Sequence, residues 1–247
     1  MKLDYLTLLR GKEILVNKTA HIRFPKLSEV ADLGFETYNQ YITMLIMNKD
    51  SMLQIFKIQK NDEVDKLTLF DIIFNIKGLR DIFYNIFSFF IAEELFVSIP
   101  YQCFYVKKKD ENKINNVRLI YQDNFEEIED LILQTNYVNM SDEKNLKPAG
   151  KHTEELLKKR EKYKQKFANQ NKNDIDISLA NLISKLSTYN CGINLLNVWD
   201  YTIFQLFDQF FVMNNKRQID MINMSYSVWG GEYKIPKWYE STFNKSK

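Results

Sequence analysis

Apolar positions fall at helical spacing over most of the chain and alternate over two short parts of it. The densest run of large apolar and aromatic residues in the C-terminal third, residues 190–213, reads NCGINLLNVWDYTIFQLFDQFFVM. Asn197 is placed to cap a helix beginning near Val198, with Asp200 at the third position of a box-like start. At about 100° per residue Trp199, Ile203, Leu206, Phe207, Phe210 and Met213 share one side, while Thr202, Gln205, Asp208 and Gln209 gather opposite. The spacing therefore predicts a core helix with one wet edge, whose structural core is Trp199, Ile203, Leu206, Phe207 and Phe210. Aromatics at this spacing are read as packing and not as a cofactor box.

Earlier in the chain, residues 13–16 and 20–24 alternate across Asn17, Lys18 and Thr19 and predict a β-hairpin. Pro25 suits the first turn of a following helix and Gly34 its end, and Phe35, Tyr38, Ile42 and Leu45 mark the next helix. Asp50 or Ser51 is placed to cap a further turn, and residues 61–66 read as a solvated loop. Thr68 caps a helix over 69–76, Gly78 breaks it, and 79–95 forms the strongest helix of this half, burying Leu79, Ile82, Phe83, Ile86, Phe87, Phe90 and Ile91. Residues 102–107 and 117–121 predict a second hairpin across 108–115. Asp123 or Asn124 then caps a helix through Phe125, Ile128, Leu131 and Ile132, whose Glu126, Glu127, Glu129 and Asp130 form a solvated face.

Apolar content drops over 139–173. Residues 151–166 carry seven basic and three acidic side chains and predict an exposed basic helix, read as a solvated linker ahead of a nucleic-acid contact. Leu179, Leu182, Ile183 and Leu186 then mark a helix that packs antiparallel on the 198–213 helix, and Asn214 to Lys216 form a polar break. The fold class is α+β, predominantly α-helical with one or two β-hairpins. The division is 1–139 as an N-terminal α+β domain, 140–173 as a polar, basic connecting segment, and 174–247 as a C-terminal helical region with an aromatic tail.

Composition narrows the function classes. The chain has 247 residues, 45% of them hydrophobic and 14% aromatic, enough for a core and incompatible with disorder throughout. Residues 1–150 hold 19 Lys and Arg against 22 Asp and Glu, and 151–247 hold 15 against 10. Neither part has the concentrated charge of a dedicated duplex-DNA binder. Cys103 and Cys191 make no disulfide framework or metal spacing and are read as buried, reduced thiols. Residues 82–92, the most apolar run, span about half the ~20 residues a bilayer requires, and residues 1–10 carry charge inside any would-be leader. The expectation is an intracellular protein of a bacterial host cytoplasm, or a component of a virion, without membrane contact.

No catalytic, cofactor-binding or metal-ligating residue is assigned, and no cofactor is expected. His21 and His152 have no companion at zinc spacing, no nucleophile elbow is present, and the seven glycines form no phosphate loop. Two Glu-x-Lys triplets, Glu111-Asn112-Lys113 after Asp110 and Glu232-Tyr233-Lys234 after Asp220, have the letters of a Mg²⁺ nuclease. Triplets this short arise by chance in a lysine-rich chain, so an enzyme is not adopted. The tail interleaves Trp229, Tyr233, Trp238, Tyr239 and Phe243 with lysines. Such residues stack single-stranded bases or anchor a protein interface, and the sparse charge favours the interface. Trp229, Tyr233, Trp238 and Tyr239 are the candidate partner-binding residues.

Three phrases carry a resemblance: LLRGKEILVNKTAHIRFPKLSEVADLGFETYNQYITMLI, SLANLISKLSTYNCGINLLNVWDYTIFQLFDQFF and SYSVWGG. They resemble a family of tailed-phage and prophage proteins of low-GC Gram-positive bacteria, encoded in the virion structural (tail) region and tail assembly chaperone-like. The likeness covers about half the chain and is absent over 61–173. It recurs at Arg23-Phe24-Pro25 and at Leu195-Leu196-Asn197-x-Trp199-Asp200. It implies a non-enzymatic role in virion assembly, binding a tail or tape-measure protein, with self-association as a second outcome. The alternatives are a minor tail structural subunit, or a phage nucleic-acid-binding protein using the basic helix and the tail.

Overall fold

The computed structural model describes residues 2–58, 62–107, 118–138, 179–189 and 192–230. The chain forms two compact units, Met1–Val138 and Asn139–Lys247. The fold is α+β and predominantly helical, with one two-stranded and one three-stranded antiparallel sheet among the described residues.

The first unit begins with α1 (Tyr5–Arg10), capped by Asp4 and closed by Gly11 in the left-handed conformation at φ 61°. Strands β1 (Ile14–Val16) and β2 (Ala20–Ile22) pair antiparallel. Between them lies a three-residue loop, 17–19, in which Asn17 and Lys18 both take positive φ and the Thr19 amide donates to Val16 O at 2.6 Å. Helices α2 (Leu27–Leu33) and α3 (Phe35–Ile46) follow, separated at Gly34 as its spacing predicts. Pro25 lies outside α2. The Glu29 carboxylate accepts from the Lys26 amide at 2.8 Å and from Arg23 at 2.7 Å, which sets the start of α2 at Leu27.

Helix α4 (Lys49–Ile55) is capped by Asn48, whose Oδ1 accepts from the Ser51 amide at 2.9 Å, and not by Asp50 or Ser51. Residues 61–66, expected as a loop, contain α5 (Asp62–Lys66). A local charge run gave no sign of it because its support is distant. Lys49 Nζ donates to the carbonyls of Val64 at 2.8 Å, Asp65 at 3.0 Å and Leu67 at 2.7 Å, so one ammonium closes the end of the helix. Lys49→Met keeps the stem and removes those donors. It is expected to cost about 1–2 kcal/mol, given the partial exposure of the site, seen as a lower urea midpoint at unchanged slope.

Thr68 caps α6 (Leu69–Asn75) in a reciprocal pair with Asp71, as predicted. The break before α7 (Lys77–Phe90) falls at the extended Ile76, and Gly78 lies inside the first turn of α7 with open space around it. Helix α7 ends at Phe90, five residues short of its predicted end. There the chain turns extended, Arg23 N–H donates to Phe90 O at 2.9 Å and Ala92 N–H to His21 O at 2.9 Å. Strand pairing has taken residues that the helical period also fits. Of the side chains expected to be buried on this helix, Ile82 alone is half-buried and the rest are buried.

Strand β3 (Glu94–Ser98) then pairs with β4 (Cys103–Lys107), which pairs with β5 (Arg118–Ile120). The β4–β5 hairpin is the predicted one, and β3 adds a strand that the pattern did not reveal. Leu95, Phe104, Val106 and Ile120 are buried from this sheet. Helix α8 (Gln122–Thr135) completes the unit. Its Asn124 does not cap. The Oδ1 accepts from the Tyr121 amide at 3.0 Å, which makes Tyr121 the cap.

The acidic face predicted on α8 is not uniformly solvated. Glu129 is buried, Glu127 accepts from Asn17, and Asp130 accepts from Gln134 at 2.9 Å. Gln134 in turn accepts from the Leu3 amide at 2.8 Å. These carboxylates tie α8 to the hairpin and the N-terminal segment. The middle of the unit is a ring cluster of Phe70, Phe74, Phe83, Phe87, Phe104 and Phe125, with contacting centroids 5.3 to 6.4 Å apart.

In the second unit, α9 (Leu179–Tyr189) buries Leu179, Leu182, Ile183 and Leu186, the four residues its periodicity marks. A single 3₁₀ turn spans Val198–Asp200, and α10 (Ile203–Trp229) follows. Helix α9 packs on α10. The predicted basic helix of residues 151–166 lies outside the described residues.

Candidate interaction surface

Helix α10 has 27 residues, about 40 Å at 1.5 Å per residue. It does not start at Val198. Asn197, expected as its cap, instead accepts from the Asn194 amide at 2.8 Å and donates to Gly192 O at 2.9 Å, closing a local turn. Tyr201 is extended, and the cap is Thr202. Its Oγ1 accepts from the Gln205 amide at 3.2 Å while Gln205 Oε1 accepts from the Thr202 amide at 2.9 Å.

The first turns of α10 enter the core. Ile203, Phe204 and Leu206 are buried, and so are Thr202 and Asp208, which periodicity assigned to the wet edge. Phe207 and Phe210 are half-buried, and Trp199 is 39% exposed, so the core position expected for Trp199 is not the one it holds. Its place follows from the late helix start: residues 198–200 form a separate turn, and Val198 is the buried member. Phe204 and Ile193 complete the core that the pattern missed.

Residues 214–216, expected as a break, continue the helix. They contain neither glycine nor proline, and the helix runs on to Gly230, whose φ of 68° a side chain would strain and whose amide donates to Tyr226 O at 2.8 Å. Beyond Phe210 the apolar residues form two stripes at about 100° per residue. Phe210, Met213, Met221, Met224 and Val228 lie on one side with Arg217. Phe211, Ile219, Ile222, Tyr226 and Trp229 lie on the other with Asn215, roughly 150° away. On the first stripe, Arg217 sits over the ring of Tyr189, the last residue of α9, at 4.9 Å. The next residues of that stripe, Met221, Met224 and Val228, are 70%, 69% and 65% exposed.

Such a helix is poorly self-supporting. Asn214, Asn215, Ile219, Ile222, Asn223, Ser225, Ser227 and Val228 all have low helix propensity, and most of a helix's stability in a protein comes from packing of its apolar face rather than from propensity. Its exposed apolar residues form a patch of the kind that can mark an interaction site. Trp229, a predicted partner-binding residue, is 84% exposed at its end. Tyr233, Trp238 and Tyr239 lie outside the described residues. The signal for the surface was present in the sequence as MINMSYSVW, but the assumed break before it hid the helical period.

In the first unit a polar cluster gathers around His21. His21 Nδ1 meets Glu93 Oε1 at 2.5 Å, the His21 amide donates to Glu93 Oε2 at 2.8 Å, and Arg118 lies 4.0 Å from Glu93 Oε1. The cluster joins β2 to the segment entering β3. Cys103 is buried as expected, and burial pushes its thiol up. Both Glu-x-Lys triplets and Cys191 lie outside the described residues. Among the described residues no group of three His, Cys, Asp or Glu is placed to hold a metal ion, and no helix is long and apolar enough to cross a membrane.

No curated protein and no solved structure matches the chain. A family model described as YomV second domain matches residues 169–243, under a third of the 247 residues, and those residues include α9 and the whole of α10. That family is of Bacillus phage type, and the match fits a phage protein.

Proposed function

We propose that the chain is a non-enzymatic bacteriophage protein that acts in virion assembly, in a tail-assembly, chaperone-like manner, by binding another structural protein through α10. The observation that carries this reading is the exposed Met221, Met224 and Val228 stripe inside the segment that matches a phage-type family. Methionine is unbranched and polarizable, so a methionine stripe adapts to partners of differing shape, as a protein that holds an assembly intermediate requires. An amphipathic helix of a tail or tape-measure protein is the chemistry that fits it.

Nucleic acid is the less favoured partner. The only charged residues of α10 beyond the buried Asp208 are Lys216, Arg217 and Asp220, too few to follow a phosphate backbone.

The test is recovery of the tagged chain from phage-infected cells, with the bound proteins identified by mass and purified particles blotted in parallel. The expected result is a phage structural protein bound in the lysate, its yield falling at least about tenfold with Met221→Lys and Met224→Lys together, and no chain in particles. Retention in particles would make the protein a minor tail subunit. Undiminished capture by the double variant, or recovery of nucleic acid alone, would sink the reading.

A further inference from the structure

We propose that the second stripe of α10 is a self-association face: Phe211, Ile219, Ile222, Tyr226 and Trp229 pack antiparallel against the same residues of a second copy of this chain.

The stripe carries no charge, and its large residues are exposed apart from the half-buried Ile219. Trp229 is 84% exposed, Ile222 50%, Tyr226 44% and Phe211 41%. Lys216, Arg217 and Asp220 all fall off it at about 100° per residue, leaving Asn215 within it and the uncharged Gln218 at its edge as the polar residues. No charge on the stripe opposes the approach of an identical surface, and none offers a handle to a charged partner.

The spacing is close to its own reverse. A two-fold axis between Asp220 and Met221 sets Ile219 against Ile222, Asn215 against Tyr226, Val212 at the edge of the stripe against Trp229, and Phe211 against Gly230. Each large side chain then meets a smaller or matching one, and the Tyr226 hydroxyl comes within reach of the Asn215 amide. A parallel pair would instead set Trp229 on Trp229 and Asn215 on Asn215. A lone polar residue in an apolar helix seam is a known device for fixing register.

Area agrees with this occupant. Taking ~150–250 Å² for a whole aromatic side chain and the exposures above, the stripe offers on the order of 500 Å² per copy. A pair then buries about 1,000 Å², the lower limit for a biological interface. The association is accordingly weak and concentration-dependent, and it leaves the opposite methionine stripe free for the phage partner. The inference is independent of that partner, because the two surfaces lie on opposite sides of the helix.

Sedimentation equilibrium of the full chain across micromolar concentrations reads it directly. The expected mass rises toward twice 29.5 kDa. Trp229→Lys and Ile222→Lys are expected to weaken association by at least about tenfold, and Met224→Lys on the other stripe to leave it unchanged. Trp229 is too exposed for its substitution to unfold the core, so that variant stays informative if Ile222→Lys loses helicity. For direction, Val212→Cys in one copy is expected to cross-link to Trp229→Cys in another more readily than either does to itself. A monomer at every concentration, or a dimer that survives Trp229→Lys and Ile222→Lys, would overturn the proposal. So would equal dissociation by Met224→Lys.

Discussion

Phe87→Ala is expected to destabilise the first unit by about 3–5 kcal/mol, the range for truncating a buried phenylalanine. Phe87 is fully buried on α7 and touches three other rings: Phe83 at 6.0 Å, Phe104 at 5.5 Å and Phe125 at 5.7 Å, all steeply tilted. Those rings come from α7, β4 and α8. Removing Phe87 therefore opens a cavity where a helix, a strand and a second helix meet, and no single element can move to refill it. A domain of this size has about 5–15 kcal/mol in all, so the loss takes a large part of it. Urea unfolding followed by circular dichroism measures the effect. Phe89→Ala on the same helix is the control, since Phe89 is half-buried and should cost distinctly less. Equal losses at the two positions would mean that the ring cluster is not the centre of this unit.

That cluster was legible in part. Phe83, Phe87 and Phe90 recur at helical spacing, and period alone put them on one face of α7. The end of α7 was not legible, because Ile91 to Leu95 satisfy the helical period and the strand preference together. The choice between them is made by His21 and Arg23, some seventy residues upstream, whose backbone bonds hold the chain extended from Ile91 on. Caps failed for a related reason. Asn124 and Asn197 have the side chains of caps but are engaged by the Tyr121 amide and by the 192–197 turn. Lys49, which closes α5, carries no sequence signal, since its carbonyl partners lie 15 to 18 positions away.

The candidate site shows the same division. Trp229 was named as a partner contact from its place among polar and lysine residues, but its exposure was not legible, and the surface it ends depended on whether 214–216 break the helix. Three polar residues in a row read as punctuation. Within a continuous helix they are spread around the circumference at about 100° steps and break nothing. The burial of Asp208 and Thr202 was illegible for the opposite reason. Polar side chains near a capped, core-entering helix start are held by partners that periodicity does not see.

Above about pH 10 the first unit is expected to lose stability steeply because of Tyr38. The side chain is buried, stacks on Phe35 at 6.2 Å and donates its hydroxyl to Asn136 Oδ1 at 2.7 Å. Asn136 is itself buried and spends its amide on Ile132 O at 2.6 Å and Thr135 Oγ1 at 3.2 Å, so the phenol must be protonated to complete the set. Burial raises the phenol well above its ordinary value. A folded-state value above the unfolded one gives stability that is fully present below pH ~10 and lost as pH rises, because the unfolded chain releases the proton first. Each pH unit above ~10 then costs about 1.4 kcal/mol, or about 2.7 kcal/mol by pH ~12. Tyr41 is raised by burial in the same direction and leaves a smaller slope behind. Tyr38→Phe is expected to lower stability at neutral pH by about 1–3 kcal/mol, since Asn136 Oδ1 loses its donor, and to flatten the alkaline fall. Urea midpoints of both proteins measured near pH ~8 and ~11.5 separate the two effects. If the two curves stay parallel through the alkaline range, the phenol is not the group that holds this unit together there.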